Sequence, residues 1–151
     1  MSQTVVQLRD PRSFLTPDIW EREVRLIMRD HSMDRNLAER TFAQTIAYLV
    51  ACAENPDISM GPTPAVDKGV HSFVLDTPRY WEFCFAQAGA YLHHVPHLIE
   101  ERTGQPKVLY GTIQAIRSAG FHVDGELWGA KDVDCHQCHA CCADSPKLGN
   151  K

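Results

Sequence analysis

Basic stripes and long apolar runs are both missing from this chain. Its 151 residues carry 15 Lys and Arg against 19 Asp and Glu, a formal net charge of −4, and cations nowhere interleave with aromatics. A surface that tracks phosphates is therefore not expected, and neither is a nucleic-acid partner. The longest apolar run, IAYLVACA at 46–53, is far short of the roughly 20 residues a membrane helix needs, so no membrane partner is expected. The opening MSQTVVQLRDPR lacks the charged-then-apolar layout of a signal peptide, which places the expectation in the cytoplasm. In a reducing compartment the six cysteines read as ligands, catalytic thiols or buried residues rather than a disulfide framework. Glycine-rich phosphate loops, the order of a serine triad and paired acid/base carboxylates are absent too, which removes the enzyme classes they serve. No internal repeat is visible at any period.

What is present is helical punctuation. Hydrophobic and charged contents of 44% and 23% are ordinary for a globular domain, and the length suits one. Thr16-Pro17-Asp18 joins a capping hydroxyl, a proline suited to the first helical position and an acid near the positive end of the helix dipole. Trp20, Val24, Ile27 and Met28 follow at helical spacing. A second helix is expected from about Asp34 to Glu54, with Leu37, Phe42, Ile46, Leu49, Val50 and Ala53 inward, Cys52 in the core and Pro56 as its stop. Thr63-Pro64 opens a short third helix, and Thr77-Pro78 a fourth that runs to about His94 before Pro96. A fifth fits residues 108–120, capped by Gly120. FHVDGELW, 121–128, reads as a short extended piece or a turn. The expectation is all-α: about five helices in one compact domain, 1–129, with an irregular Cys/His-rich tail, 130–151, folding back on it.

The tail, DCHQCHACCADSP at 134–146, holds four cysteines and two histidines. Cys135 to His139 matches the C-x-x-C-H haem-attachment pattern, which belongs to exported proteins. A redox CxxC pair acts at a helix N-terminus after a strand, and no strand is expected before Cys135. Cys135, Cys138 and Cys141 give thiolates at the short spacings that zinc and iron–sulfur sites use, with Cys142, His136 and His139 as spares. The interleaved histidines favour zinc over a cluster. One short loop seldom supplies four ligands, so the remainder is expected from the tail itself or from His71, Cys84 or His94.

The middle of the chain supplies that set. Asp67 and His71 are four apart and share a helix face, where a carboxylate can fix the tautomer of a metal-bound imidazole. Tyr80, Cys84 and Tyr91 fall within about 40° of one another on a helix, and His94 about 80° from Cys84, with His93 opposite. Buried packing is the competing reading of each of these positions, Cys84 above all.

The segment VDKGVHSFVLDTPRYWEFCFAQAGAYLHHVP, 66–96, resembles the signature of the glycine-rich-domain-containing-protein-like family; with the helical N-terminal half and a tail similar to that of small actinobacterial members, the resemblance covers most of the chain. That signature is similar to V-D-x-x-W-H-x-x-[LI]-L-x-T-x-x-Y-x-x-F-C followed by G-x-x-x-H-H-x-P. Val66, Asp67, His71, Leu75, Thr77, Tyr80, Phe83, Cys84, Gly89, His93, His94 and Pro96 match it, and Val70 stands where the family has tryptophan. The resemblance implies no particular reaction. The glycine-rich and RNA-binding segments of the plant relatives are absent, so it implies no RNA role.

Three functions follow as expectations. The first is a small cytoplasmic transition-metal-binding protein, zinc favoured, with ligands among His71, Cys84, His94, Cys135, Cys138 and Cys141 and supporting contacts from Asp67, Tyr80 and Tyr91. The second is a non-haem metalloenzyme using iron or copper, its site of Asp67, His71 and His94 open to a small-molecule substrate. The third is a non-catalytic helical scaffold for a protein partner, in which the same polar residues form a buried network.

Overall fold

The caps decide where the chain turns, and the computed structural model, which describes residues 7–101, 105–129 and 142–147, shows how each is used. Helix α1 (Pro17–His31) starts after Thr16 and α2 (Arg35–Glu54) after Asp34, whose carboxylate accepts from Leu37 N–H at 2.8 Å. Thr16 occupies the N-cap position but makes no capping bond; its hydroxyl serves the Asp18 carboxylate instead. Helix α3 (Pro64–Leu75) is capped by Thr63, which accepts from Val66 N–H and donates to Leu127 O at 2.7 Å. Helix α4 (Thr77–Ala88) begins directly at Thr77, with Asp76 as the joint between α3 and α4. Short 3-10 turns at Pro11–Phe14 and Ile99–Glu101 and helix α5 (Gln105–Ser118) complete the helical part, so the described chain is predominantly helical.

The fourth helix is shorter than its sequence suggests. Gly89 takes φ +63°, the left-handed conformation that favours glycine, and its N–H closes on Phe85 O at 3.1 Å. Residues 93 and 94 therefore leave the helix and form strand β1 (His93–Pro96), which pairs antiparallel with β2 (Cys142–Ser145). This two-stranded ribbon is the one strand pairing among the described residues. Helical angles consequently do not relate Tyr91, His93 and His94 to Cys84.

Helix α2 is buried nearly all round, from Ala38 to Cys52, because α1, α3, α4, α5 and β2 all pack on it. Trp20, Phe42, Phe73, Tyr80 and Phe83 form its aromatic seam, with centroids 4.7 to 5.5 Å apart in tilted and edge-on arrangements. Burying each such ring contributes about 1.5–3 kcal/mol. Helix α3 approaches α2 closely through Gly69, where a Cβ would lie 2.1 Å from Thr45 Oγ1. Residues 121–128 form turns pinned to α2: Arg40 binds Asp124 at 2.9 and 3.1 Å and Glu126 at 3.0 Å, and Gln44 accepts from Trp128 Nε1 at 2.8 Å. No helix among the described residues is long and apolar enough to cross a membrane.

Candidate metal centre

Four potential ligand atoms converge where α3 meets the ribbon. Asp67 and His71, one turn apart on α3, place Oδ2 and Nε2 3.0 Å from each other. His94 enters from β1, its Nε2 2.8 Å from that of His71 and 3.8 Å from Asp67 Oδ1. Cys142 enters from β2, its Sγ 3.7 Å from Asp67 Oδ2 and 3.8 Å from His71 Nε2. All four ligand atoms lie within 4.8 Å of one another.

Local rules explain the convergence. The i, i+4 spacing aligns Asp67 with His71. The ribbon pairs His94 with Asp144 across the strands, and Cys142 lies two residues from Asp144, hence on the same face. Strand β1 is itself held in place from α4. Tyr80 donates its hydroxyl to Leu92 O at 2.5 Å, and the Cys84 thiol sits at the Leu92 N–H, two residues before His94. Tyr91 stacks edge-on against Tyr80 and His93.

The cluster also has a supporting layer. His94 Nδ1 lies 2.8 Å from Asp144 Oδ1, and the buried Tyr48 of α2 donates its hydroxyl to Asp144 Oδ2 at 2.7 Å. Asp67, Cys142 and Asp144 are buried, whereas half of the His71 side chain is exposed. One edge of the cluster thus meets solvent.

The donor set fits a divalent cation. Zinc bonded at about 2.0–2.3 Å in a tetrahedron keeps its ligand atoms roughly 3.3–3.7 Å apart, and the four ligand atoms here lie within 4.8 Å of one another. Asp67 Oδ1 is buried without a hydrogen-bond partner among the described residues, as expected of an oxygen whose partner is an ion. Burial opposes charge on His94, but hydrogen bonds with Asp144 and Cys142 outweigh it and lift the imidazole to about 10. Burial pushes the Asp67 carboxyl up against the pull of His71 and His94, and pushes the Cys142 thiol up against His94. The cluster calls for positive charge.

Of the residues singled out in the sequence, the structure brings Asp67, His71 and His94 together. Cys84 is fully buried in the core beside Tyr80, and neither it nor Tyr80 or Tyr91 enters the four-atom group. Cys135, Cys138 and Cys141 lie outside the described residues. Two members escaped sequence reasoning in these roles: Cys142, taken only as a spare, and Asp144. The available signal was the alternation Cys142-Ala143-Asp144-Ser145, a small-residue strand pattern that sends a thiol and a carboxylate to one face. No family model, curated protein or solved structure matches the chain. The described chain is thus a predominantly helical protein with an Asp/His/His/Cys group that could hold a metal ion.

Proposed function

We propose that this is a cytoplasmic transition-metal-binding protein that holds one zinc ion through Asp67, His71, His94 and Cys142 in a closed, non-catalytic shell. The observation that carries it is the convergence of two imidazole nitrogens, an Asp67 carboxylate oxygen and a thiol within 4.8 Å, beside a buried Asp67 Oδ1 with no hydrogen-bond partner among the described residues. A carboxylate and a thiolate supply two negative charges, which a divalent ion neutralises. Mixed nitrogen, oxygen and sulfur donors favour zinc over iron or copper. When bound, the ion supplies cross-linking of α3, β1 and β2. The resemblance of residues 66–96 to the glycine-rich-domain-containing-protein-like family is part of the same reading, supported by three of its motif positions, Asp67, His71 and His94, sharing the site.

Protein prepared free of metal and titrated with zinc against a chromophoric chelator tests this. One zinc per chain is expected, lost in the His94→Ala and Cys142→Ala variants. Undiminished uptake by the His71→Ala/His94→Ala/Cys142→Ala triple variant would overturn it and send the ion to Cys135, Cys138 and Cys141.

A second reading draws on the half-exposed His71. Asp67, His71 and His94 alone make a two-histidine, one-carboxylate set, which leaves positions for an exogenous ligand on iron or copper. Perturbation of the cobalt-substituted spectrum by azide would favour this enzyme-like site over the closed one.

A further inference from the structure

Position 48 lies in the most buried part of the molecule, flanked on α2 by Ile46, Ala47, Leu49, Val50 and Ala51, all buried. A tyrosine there places a phenol where a phenylalanine would pack without needing a polar partner. The hydroxyl reaches across 96 positions of sequence to donate to Asp144 Oδ2 at 2.7 Å. Burial holds the phenol in its protonated form, so it remains a donor. Asp144 is equally enclosed, and its other oxygen faces His94 Nδ1 at 2.8 Å.

We infer that Tyr48 and Asp144 are positioning residues for the metal centre: Asp144 keeps the His94 proton on Nδ1, and Tyr48 keeps Asp144 in register to do so. The carboxylate oxygens of Asp144 accept, from the Tyr48 hydroxyl at Oδ2 and, in this assignment, from His94 Nδ1–H at Oδ1. The Nε2 lone pair of His94 is thereby the one directed at Asp67, His71 and Cys142. The same contacts fasten β2. Its buried side chains, Cys142 and Asp144, are the thiol and the carboxylate, so the strand brings no large apolar anchor of its own. This inference rests on the metal-binding reading and extends it to residues that never touch the ion.

The test uses the full chain, with zinc affinity from chelator competition and the absorption spectrum of the cobalt form. Tyr48→Phe removes one oxygen and is expected to weaken zinc binding about 10-fold, and Asp144→Asn up to about 100-fold. In both variants the cobalt ligand-field bands should shift, while Asp144→Glu recovers part of the affinity. A purely structural role would lower the melting temperature of Tyr48→Phe with zinc affinity and cobalt spectrum unchanged, and that result would overturn the inference. Tyr48→Phe decides the matter if Asp144→Asn does not fold. Wild-type protein that takes up no zinc would instead sink the metal-binding reading itself.

Discussion

His71 and His94 meet edge-on, with ring centroids 4.7 Å apart at 87° and Nε2 atoms 2.8 Å apart. One comes from a helix and the other from a strand, so what joins their nitrogens also joins the two elements. Zinc at one hundred times its Kd is expected to stabilise the fold by about 2.7 kcal/mol. Calorimetry of the zinc-loaded and chelated protein checks this. Equal melting temperatures would mean that the ion, if bound, does not engage the folded state.

Of the buried cysteines, Cys84 and Cys142 should separate cleanly. Cys142→Ala is expected to abolish zinc uptake, whereas Cys84→Ala should retain it and lose about 1–2 kcal/mol of stability through the void left beside Tyr80 and Leu92. Metal content and chemical denaturation of each variant provide the comparison. Loss of zinc from Cys84→Ala with an intact fold would bring Cys84 into the site.

A second buried acid lies away from the metal centre. Glu23 is fully buried, and neither of its oxygens has a hydrogen-bond donor among the described residues. Burial first, then the neighbouring Asp76 carboxyl, raises it from 4.5 to about 9. Asp76 is held below its usual range by its contact with Glu23 and by Arg22 at 2.8 Å. Between about 4.5 and 9 the unfolded chain has released the Glu23 proton and the folded chain has kept it. The folded state binds more protons there, so this group's contribution falls as pH rises through that window. Asp76 has the opposite sign: its contribution is present above its unfolded value and lost as pH falls through the lower folded one. Glu23→Gln should flatten the decline on the alkaline side, read from urea denaturation at pH steps. An unchanged slope would remove Glu23 as its source.

Gly69 sets the closeness of α2 and α3. Gly69→Ala should destabilise by about 1–3 kcal/mol, because its Cβ would meet Thr45 Oγ1 at 2.1 Å. The Gly69→Ala/Thr45→Ala double variant should recover part of that loss. Strict additivity of the two substitutions would show that the contact is not the cause.

Local chemistry was legible and long-range chemistry was not. The helix starts follow from Thr16, Asp34 and Thr63 beside proline or polar neighbours, and Asp67 with His71 follows from one helical turn. His94 reaches the cluster by a route that helix periodicity does not contain: Gly89 turns the chain out of α4, and strand pairing supplies the direction. In a run of four cysteines, nothing local distinguishes Cys142 from its neighbours, because its partner Asp67 is 75 positions away. Tyr48 reads as one more core aromatic until Asp144 is placed beside it. The extensive burial of α2 from Ala38 to Cys52 likewise arises from the elements that surround it, not from a stripe in its own sequence.

Sequence separation gives the ribbon a place in the order of assembly. The contacts of β2 with Tyr48, Asp67 and His94 span 96, 75 and 50 positions. The entropy of closing such loops is lost before any contact is gained. Helices α2 and α3 bring Tyr48, Asp67 and His71 together over shorter distances, and β1 adds His94. Synthesis runs in the same direction, since Cys142 and Asp144 leave the ribosome after every other member of the site. Under the metal-binding reading, a cation that arrives early would meet three protein donors and exchange freely, and β2 would convert that visit into retention. Metal held against a competitor would then report that β2 has reached its place.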